Sequence, residues 1–293
     1  MTILFALLAA FCNALNVVTQ HKASIGDPRR SKGWRFVRYL FSSPLWLFGW
    51  VALAGAFVCQ AVALHIGEMS VVQPLLVTEL VFALVLRRVW VRQDVRPVTW
   101  WAAAVTCFSL AVFITAAEPS GGSTVASSGA WLGATAAIAG AVGILVLLGL
   151  AGSPARRAAL MGSAASVSWA LVAAFIKATT DTLTQFGLAG MFTHWPVYAL
   201  AVAGLSAELL NQTALHVGPL SVSQPFIVVV DPIVSIALSV WIFAETFTEN
   251  ALRLALGAAS FAAMCISVFV LARTAPATME PDVGLRPVPR PSP

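Results

Sequence analysis

Charge is scarce in this chain. Only 10% of its 293 residues are Asp, Glu, Lys or Arg, while 59% are hydrophobic and the mean hydropathy is +0.87. Soluble domains carry roughly 25% charged and 45–50% apolar residues, so a water-soluble enzyme or a disordered chain of this composition is excluded. Cysteine is nearly absent. Cys12, Cys59, Cys107 and Cys265 stand singly within apolar runs. With no C-x-x-C spacing they offer neither a zinc site nor a redox pair. Walker A loops, G-x-S-x-G elbows and His/Cys metal clusters are also missing from the sequence, so no cofactor is expected and hydrolytic or nucleotide-driven chemistry is not. The amino-terminal apolar run lacks a basic leader, and Phe11 before Cys12 spoils a lipoprotein cleavage site. It is expected to remain as a helix of the mature chain.

What the chain does have is length in its apolar runs. A membrane-crossing helix needs about 20 apolar residues. Nine stretches qualify, at 2–21, 43–66, 69–91, 98–117, 129–151, 157–178, 192–217, 220–243 and 250–272. A spanning β-barrel would alternate apolar and polar residues, and runs such as Ile144-Leu145-Val146-Leu147-Leu148 do not. The predicted class is an all-α polytopic membrane protein.

The net charge of +5 is a topology signal rather than a nucleic-acid one. Threading nine spans puts Lys22 to Arg38, Arg87 to Arg96, Arg156-Arg157 and the carboxy-terminal arginines on one face, leaving only Lys177 and Arg253 on the other. Cytoplasmic loops collect Lys and Arg. The expected arrangement is therefore a cell-membrane protein with its amino terminus outside and its carboxy terminus cytoplasmic. Residues 273–293, with Pro281, Pro287, Pro289, Pro291 and Pro293, are predicted to be a disordered cytoplasmic tail. Pro119-Ser120-Gly121-Gly122-Ser123 is predicted to be a flexible outer loop.

A duplication organises the rest. Residues 63–75 read ALHIGEMSVVQPL and residues 214–226 read ALHVGPLSVSQPF, identical at eight of thirteen positions. Weaker pairs extend the match: Pro44 with Pro196, Glu79 with Asp231, Asp94 with Glu245, and Lys22 with Lys177. Spans one to four (1–117) thus correspond to spans six to nine (157–272), with an outer loop and spacer helix (118–156) between them. A single spacer helix makes the halves inverted repeats, the architecture of secondary transporters.

The duplicated motif reads first as a tight helical hairpin made twice. Gly67 and Gly218 suit a left-handed helix end, Ser70-x-x-Gln73 and Ser221-x-x-Gln224 resemble capping boxes, and Pro74 and Pro225 fall near a first turn. The functional alternative is that Gln73 and Gln224 face a substrate. His65 and His216 read as interfacial or capping residues.

Ionisable side chains cost about 2.5–3.5 kcal/mol at mid-membrane on insertion scales, so those present are functional candidates. Glu79, Glu208 and Asp231 qualify. Pro232 is expected to kink the eighth span beside Asp231, and Gln224 shares a helix face with Asp231. Amides extend the set: Asn13 and Asn16 on span one, Gln60 on span two at the position matching Asn211, and the stripe Glu208, Asn211, Gln212 on span seven. Interhelical packing is the competing role for each amide, and structural pairing, for instance with Lys177, for the acids. Lys177 is the one base expected near the cavity. Gly129-x-x-x-Gly133 marks the spacer as a close-packing helix, while Asp94 and Glu245 are placed at the membrane surface as caps or loop ion pairs.

These features resemble the drug/metabolite transporter superfamily, EamA-like, through Ala63-Leu64 with Asp94 and Ala214-Leu215 with Glu245. The likeness covers about residues 1–272. The usual member has ten helices as five plus five. The nine-span layout here, together with Ser43-Pro44-Leu45-Trp46 through Gln73-Pro74-Leu75 to Glu79, is similar to the NIPA-type magnesium transporter branch. The resemblance implies alternating-access transport. Two cargoes compete: a small polar or cationic metabolite moved with protons, or magnesium held by Glu79 and Asp231 with retained waters. A non-transporting membrane scaffold acting through the tail is the reading from another class. Partners are a small-molecule or ion substrate, membrane lipid and a second copy of the chain, with no nucleic acid.

Overall fold

The computed structural model describes residues 1–25, 43–92, 94–122, 126–217 and 220–274. The basic stretch 26–42, where the sequence also allows an interfacial helix or short span over residues 28–43, lies outside the described residues, as do Ser123, Gly218 and the tail beyond Thr274.

Every apolar run forms a helix. In chain order they are α1 (Thr2–Ile25), α2 (Pro44–Ile66), α3 (Met69–Leu76), α4 (Glu79–Leu86), α5 (Pro97–Ala117), α6 (Ser128–Gly149), α7 (Pro154–Met191), α8 (Pro196–Val217), α9 (Leu220–Phe243) and α10 (Ala251–Thr274). The third span is α3 plus α4, continued by a π-helical turn over Arg87–Val91. Among the described residues eight helical segments are long and apolar enough to cross a bilayer, and α8 is of similar length but more polar. The chain is a polytopic membrane protein of packed helices. Local chemistry sets several helix starts: proline occupies the first turn of α2, α5 and α7, and the Ser127 and Ser153 hydroxyls accept from Ala130 N–H and Arg156 N–H.

Helix α7 is the centre of the bundle. Its small residues, among them Ala164, Ala165, Ala170 and Ala174, are fully buried, and it packs against α8, α9, α6 and α2. In the first half α1 lies along α2 and against α3 and α4, while α5 pairs with α10 from the far end of the chain. A buried Thr106–Ser267 hydrogen bond of 2.9 Å links those two. Two short strands, β1 (Ser120–Gly121) and β2 (Glu245–Thr246), pair antiparallel and tie the loop after α5 to the loop after α9.

Several local expectations need correction. Helix α7 runs well past residue 178, to Met191, with a left-handed break only at Gly187 (φ 70°). Its Lys177 and Asp181 find polar partners, so the charges do not end the helix. Gly67 is extended (φ −148°, ψ 174°) rather than left-handed. Glycine is required there because a Cβ would run into Thr2. Ser70 is not a cap, since α3 begins one residue earlier and Glu68 precedes it. Pro74 lies inside α3 rather than in its first turn. The spacer α6 is peripheral, not closely packed. Gly133 touches Trp241, but Gly140 and Gly143 meet nothing within 4 Å, and most of the helix faces outward. Helix α9 continues through Pro225 and Pro232.

Candidate functional site

A break in the third span creates the first piece of the site. Pro74 cannot donate to the Ser70 carbonyl, and the Thr78 hydroxyl donates to Leu75 O at 2.7 Å. This competes with the helical ladder and bends the chain. Val77 and Thr78 tighten into three-residue-spaced bonds, to Pro74 O and Leu75 O. Glu79 therefore opens a new half-helix in mid-span. Across from it, Pro232 frees the Val228 carbonyl one turn above, next to Asp231.

The break before Glu79 and the Asp231–Pro232 turn of the continuous α9 border a common cavity of about 870 Å³, lined by residues of α1, the α2–α4 stretch, α7, α8 and α9. Its polar lining is Asn13, Asn16, Gln60, Gln73, Glu79 and Asp231, set among apolar and aromatic walls that include Trp50, Phe57 and Trp169. No described lining residue is Lys, Arg or His. Both carboxylates are half-buried and lie within electrostatic reach of one another. Asn13 hydrogen-bonds the Glu79 side chain, and the Ser235 hydroxyl donates to Asp231 Oδ1 at 3.4 Å. Asn16 Oδ1 accepts from Gln20 Nε2 at 2.6 Å. Gln73 is almost fully buried, and its Nε2 has no protein partner among the described residues. An unsatisfied buried amide donor is costly unless a ligand or water fills it. This size and mixture are typical of small-molecule sites.

Of the residues singled out from sequence, Glu79, Asp231, Gln73, Asn13, Asn16 and Gln60 line this cavity. The remaining five do not. On α8, Gln212 Nε2 donates to Glu208 Oε1 at 2.6 Å and Gln212 is exposed. The stripe Glu208, Asn211, Gln212 thus stays outside the cavity, which holds two acids rather than three. Gln224 is half-buried but also absent from the lining.

Lys177 has a different occupation. Its buried ammonium donates to Leu64 O at 2.8 Å and Gly67 O at 2.6 Å, closing the carboxyl end of α2. Glu245, nearly fully buried rather than at the surface, closes the start of α3. It accepts from Met69 N–H at 2.6 Å, Ser70 N–H at 2.9 Å and Ser70 Oγ at 2.6 Å. The next two free N–H groups, of Val71 and Val72, bond to Glu68 O, so all four donors at this helix start are satisfied. A cation at a helix end and an anion at a helix start also suit the helix dipoles. Residues from the second half therefore clamp the α2–α3 hairpin of the first, one turn from Gln73. Asp94, the sequence counterpart of Glu245, is exposed and paired with Arg88 at 2.9 Å.

One residue escaped sequence reasoning. Asp181, buried on α7, accepts from His65 Nδ1 at 2.7 Å. The available signal was its position one helical turn after Lys177 on an apolar face.

No family model matches the chain, and no solved structure does. It is similar to an uncharacterised protein of Corynebacterium glutamicum, 25% identical over 279 residues that cover 94% of this chain and 95% of that one.

Proposed function

We propose that the chain is a secondary transporter of the drug/metabolite transporter type, built from two inverted four-helix repeats around a spacer helix. It works by alternating access and moves a small polar or cationic metabolite, coupled to protons. The observation that carries this reading is the placement of Glu79 and Asp231. They are sequence counterparts in the two repeats, and both line one cavity walled by helices of both halves. A helix broken beside a central site, as the third span is before Glu79, is a recurring transporter device. A cavity with two carboxylates and no described base favours a cation, or protons, over an anionic cargo. In this reading the carboxylates carry the proton or pair with the cation, while Gln60, Gln73, Asn13 and Asn16 hold its polar groups. The protein sits in the cell membrane with its basic loops cytoplasmic and its amino terminus outside.

A magnesium pathway is the second reading, supported by the same pair of acids, since that ion is held by one or two carboxylates while keeping its waters. Purified full-length protein in liposomes separates the two. Magnesium entry abolished by Glu79→Gln and Asp231→Asn supports the ion pathway. Proton movement triggered by members of a cationic metabolite panel, and lost in the same variants, supports the metabolite carrier. If both variants transport normally while folded, neither acid belongs to the mechanism.

A further inference from the structure

The central cavity has an open flank. Helices α2 and α8 both line it, but α2 packs along α1 and α8 along α7, and no comparable contact joins α2 to α8. On the α2 side of this flank Trp50, Phe57 and Val58 line the cavity and are still 49%, 49% and 59% exposed. On the α8 side stand the small residues Ala201 and Gly204. Trp50 and Val58 lie at least six residues from either end of α2, about 9 Å or more along the helix. Because α2 is long and apolar enough to cross a bilayer, the flank opens towards hydrocarbon rather than towards headgroups.

The make-up of the wall decides what fits. Six polar side chains, two of them the half-buried acids Glu79 and Asp231, are gathered on one wall, and the other seventeen lining residues are apolar. A fully hydrated ion needs polar partners around its water shell, and a flank of tryptophan, phenylalanine and valine supplies none. A wholly apolar ligand leaves the two acids and four amides without partners. An amphipathic cation meets both demands. Its ammonium end is attracted by carboxylates and by aromatic faces, and its apolar body gains affinity with every Å² it removes from water. A cavity of about 870 Å³ has the size of sites for drug-sized ligands.

Resting on the reading of this cavity as the transport site, we infer that its ligand is an amphipathic organic cation. The ammonium end sits at Glu79 and Asp231, and the apolar body lies along Trp50 and Phe57 in the flank between α2 and α8. Trp50 and Phe57 thereby set the preference for apolar bulk, and the acids set the preference for positive charge.

The test uses purified full-length protein in an uncharged detergent and the chlorides of tetramethyl-, tetraethyl- and tetrapropylammonium. Each is titrated by calorimetry against the same micelles without protein. Charge is constant along this series while apolar surface grows, so affinity should rise at least about tenfold from the first member to the last. The rise should shrink in Phe57→Ala, a change at a half-exposed ring. Binding of every member should be lost in the Glu79→Gln, Asp231→Asn double variant, both proteins being compared as monodisperse helical species. Flux of tetrapropylammonium into liposomes, above that of protein-free liposomes, then separates this inference from the reading beneath it. Acid-dependent binding with no flux upholds the ligand class and removes the transport reading. Acid-dependent flux of magnesium or tetramethylammonium that equals or exceeds that of tetrapropylammonium overturns the ligand class and upholds transport. The inference is also overturned if no member of the series binds, or if the rise is unchanged in both variants, as partition into detergent would give.

Discussion

Removing the Glu245 carboxylate should cost this protein far more than removing its sequence counterpart Asp94. Glu245→Ala strips the partner from two buried backbone N–H groups and from the Ser70 hydroxyl, at contacts of 2.6–2.9 Å. An unsatisfied buried donor costs about 1–3 kcal/mol, and Lys177 loses a nearby counter-charge as well. Relief from desolvating the carboxylate offsets part of this. Breaking a buried charged network by removing one member generally costs about 3–5 kcal/mol, and that is the expected range here. Glu245→Gln keeps an acceptor oxygen but turns an amide donor towards other donors, so roughly half that loss is expected. Asp94→Ala removes only a pair whose carboxylate is 97% exposed, and no measurable change is expected. Thermal unfolding in detergent, followed by intrinsic fluorescence, ranks the three. A shift on the order of 2–4 °C per kcal/mol is the scale for soluble domains of 150–250 residues. Glu245→Ala melting together with the wild type and Asp94→Ala would refute the claim that this carboxylate holds the hairpin.

Four further outcomes follow from the same geometry. Gly67→Ala should destabilise by about 1–3 kcal/mol through overpacking against Thr2, and Thr2→Gly should recover much of the loss in a double-mutant cycle. Glu208→Gln should leave flux unchanged in the liposome assay, because this acid lies outside the central cavity; loss of flux in a folded variant would put α8 back into the pathway. Truncation after Thr274 should preserve flux, whereas a scaffold acting through the tail would lose its function. Single cysteines replacing Asp94 and Asn250 should react with an impermeant thiol reagent from opposite sides of the membrane, and labelling from one side would overturn the nine-span threading.

All nine apolar runs were legible as helices in the sequence, eight of them long and apolar enough to cross a bilayer, because such a run satisfies its backbone only as a helix. The helix-start residues singled out, Ser70 and Pro74, were displaced by one residue and by a full turn, because a cap depends on where the preceding hairpin ends. Glu79 and Asp231 could be singled out by their cost alone, since an acid in an apolar run is a signal in one dimension. Glu208 gave an equally strong signal and does not line the cavity: it shares a face of α8 with the lining residues Ala201 and Gly204 but lies a turn beyond them, and periodicity orders the faces of a helix without saying how far along it a cavity extends. The roles of Lys177, Asp181, Glu245 and Gly67 were decided by tertiary structure alone. Each depends on a partner more than 60 residues away, from Thr2 against Gly67 to Glu245 on Met69 and Ser70. Hydrogen bonds and steric contacts act over a few ångströms of space, and only the packing of α1, α7 and α9 against the α2–α3 hairpin brings those distances within reach.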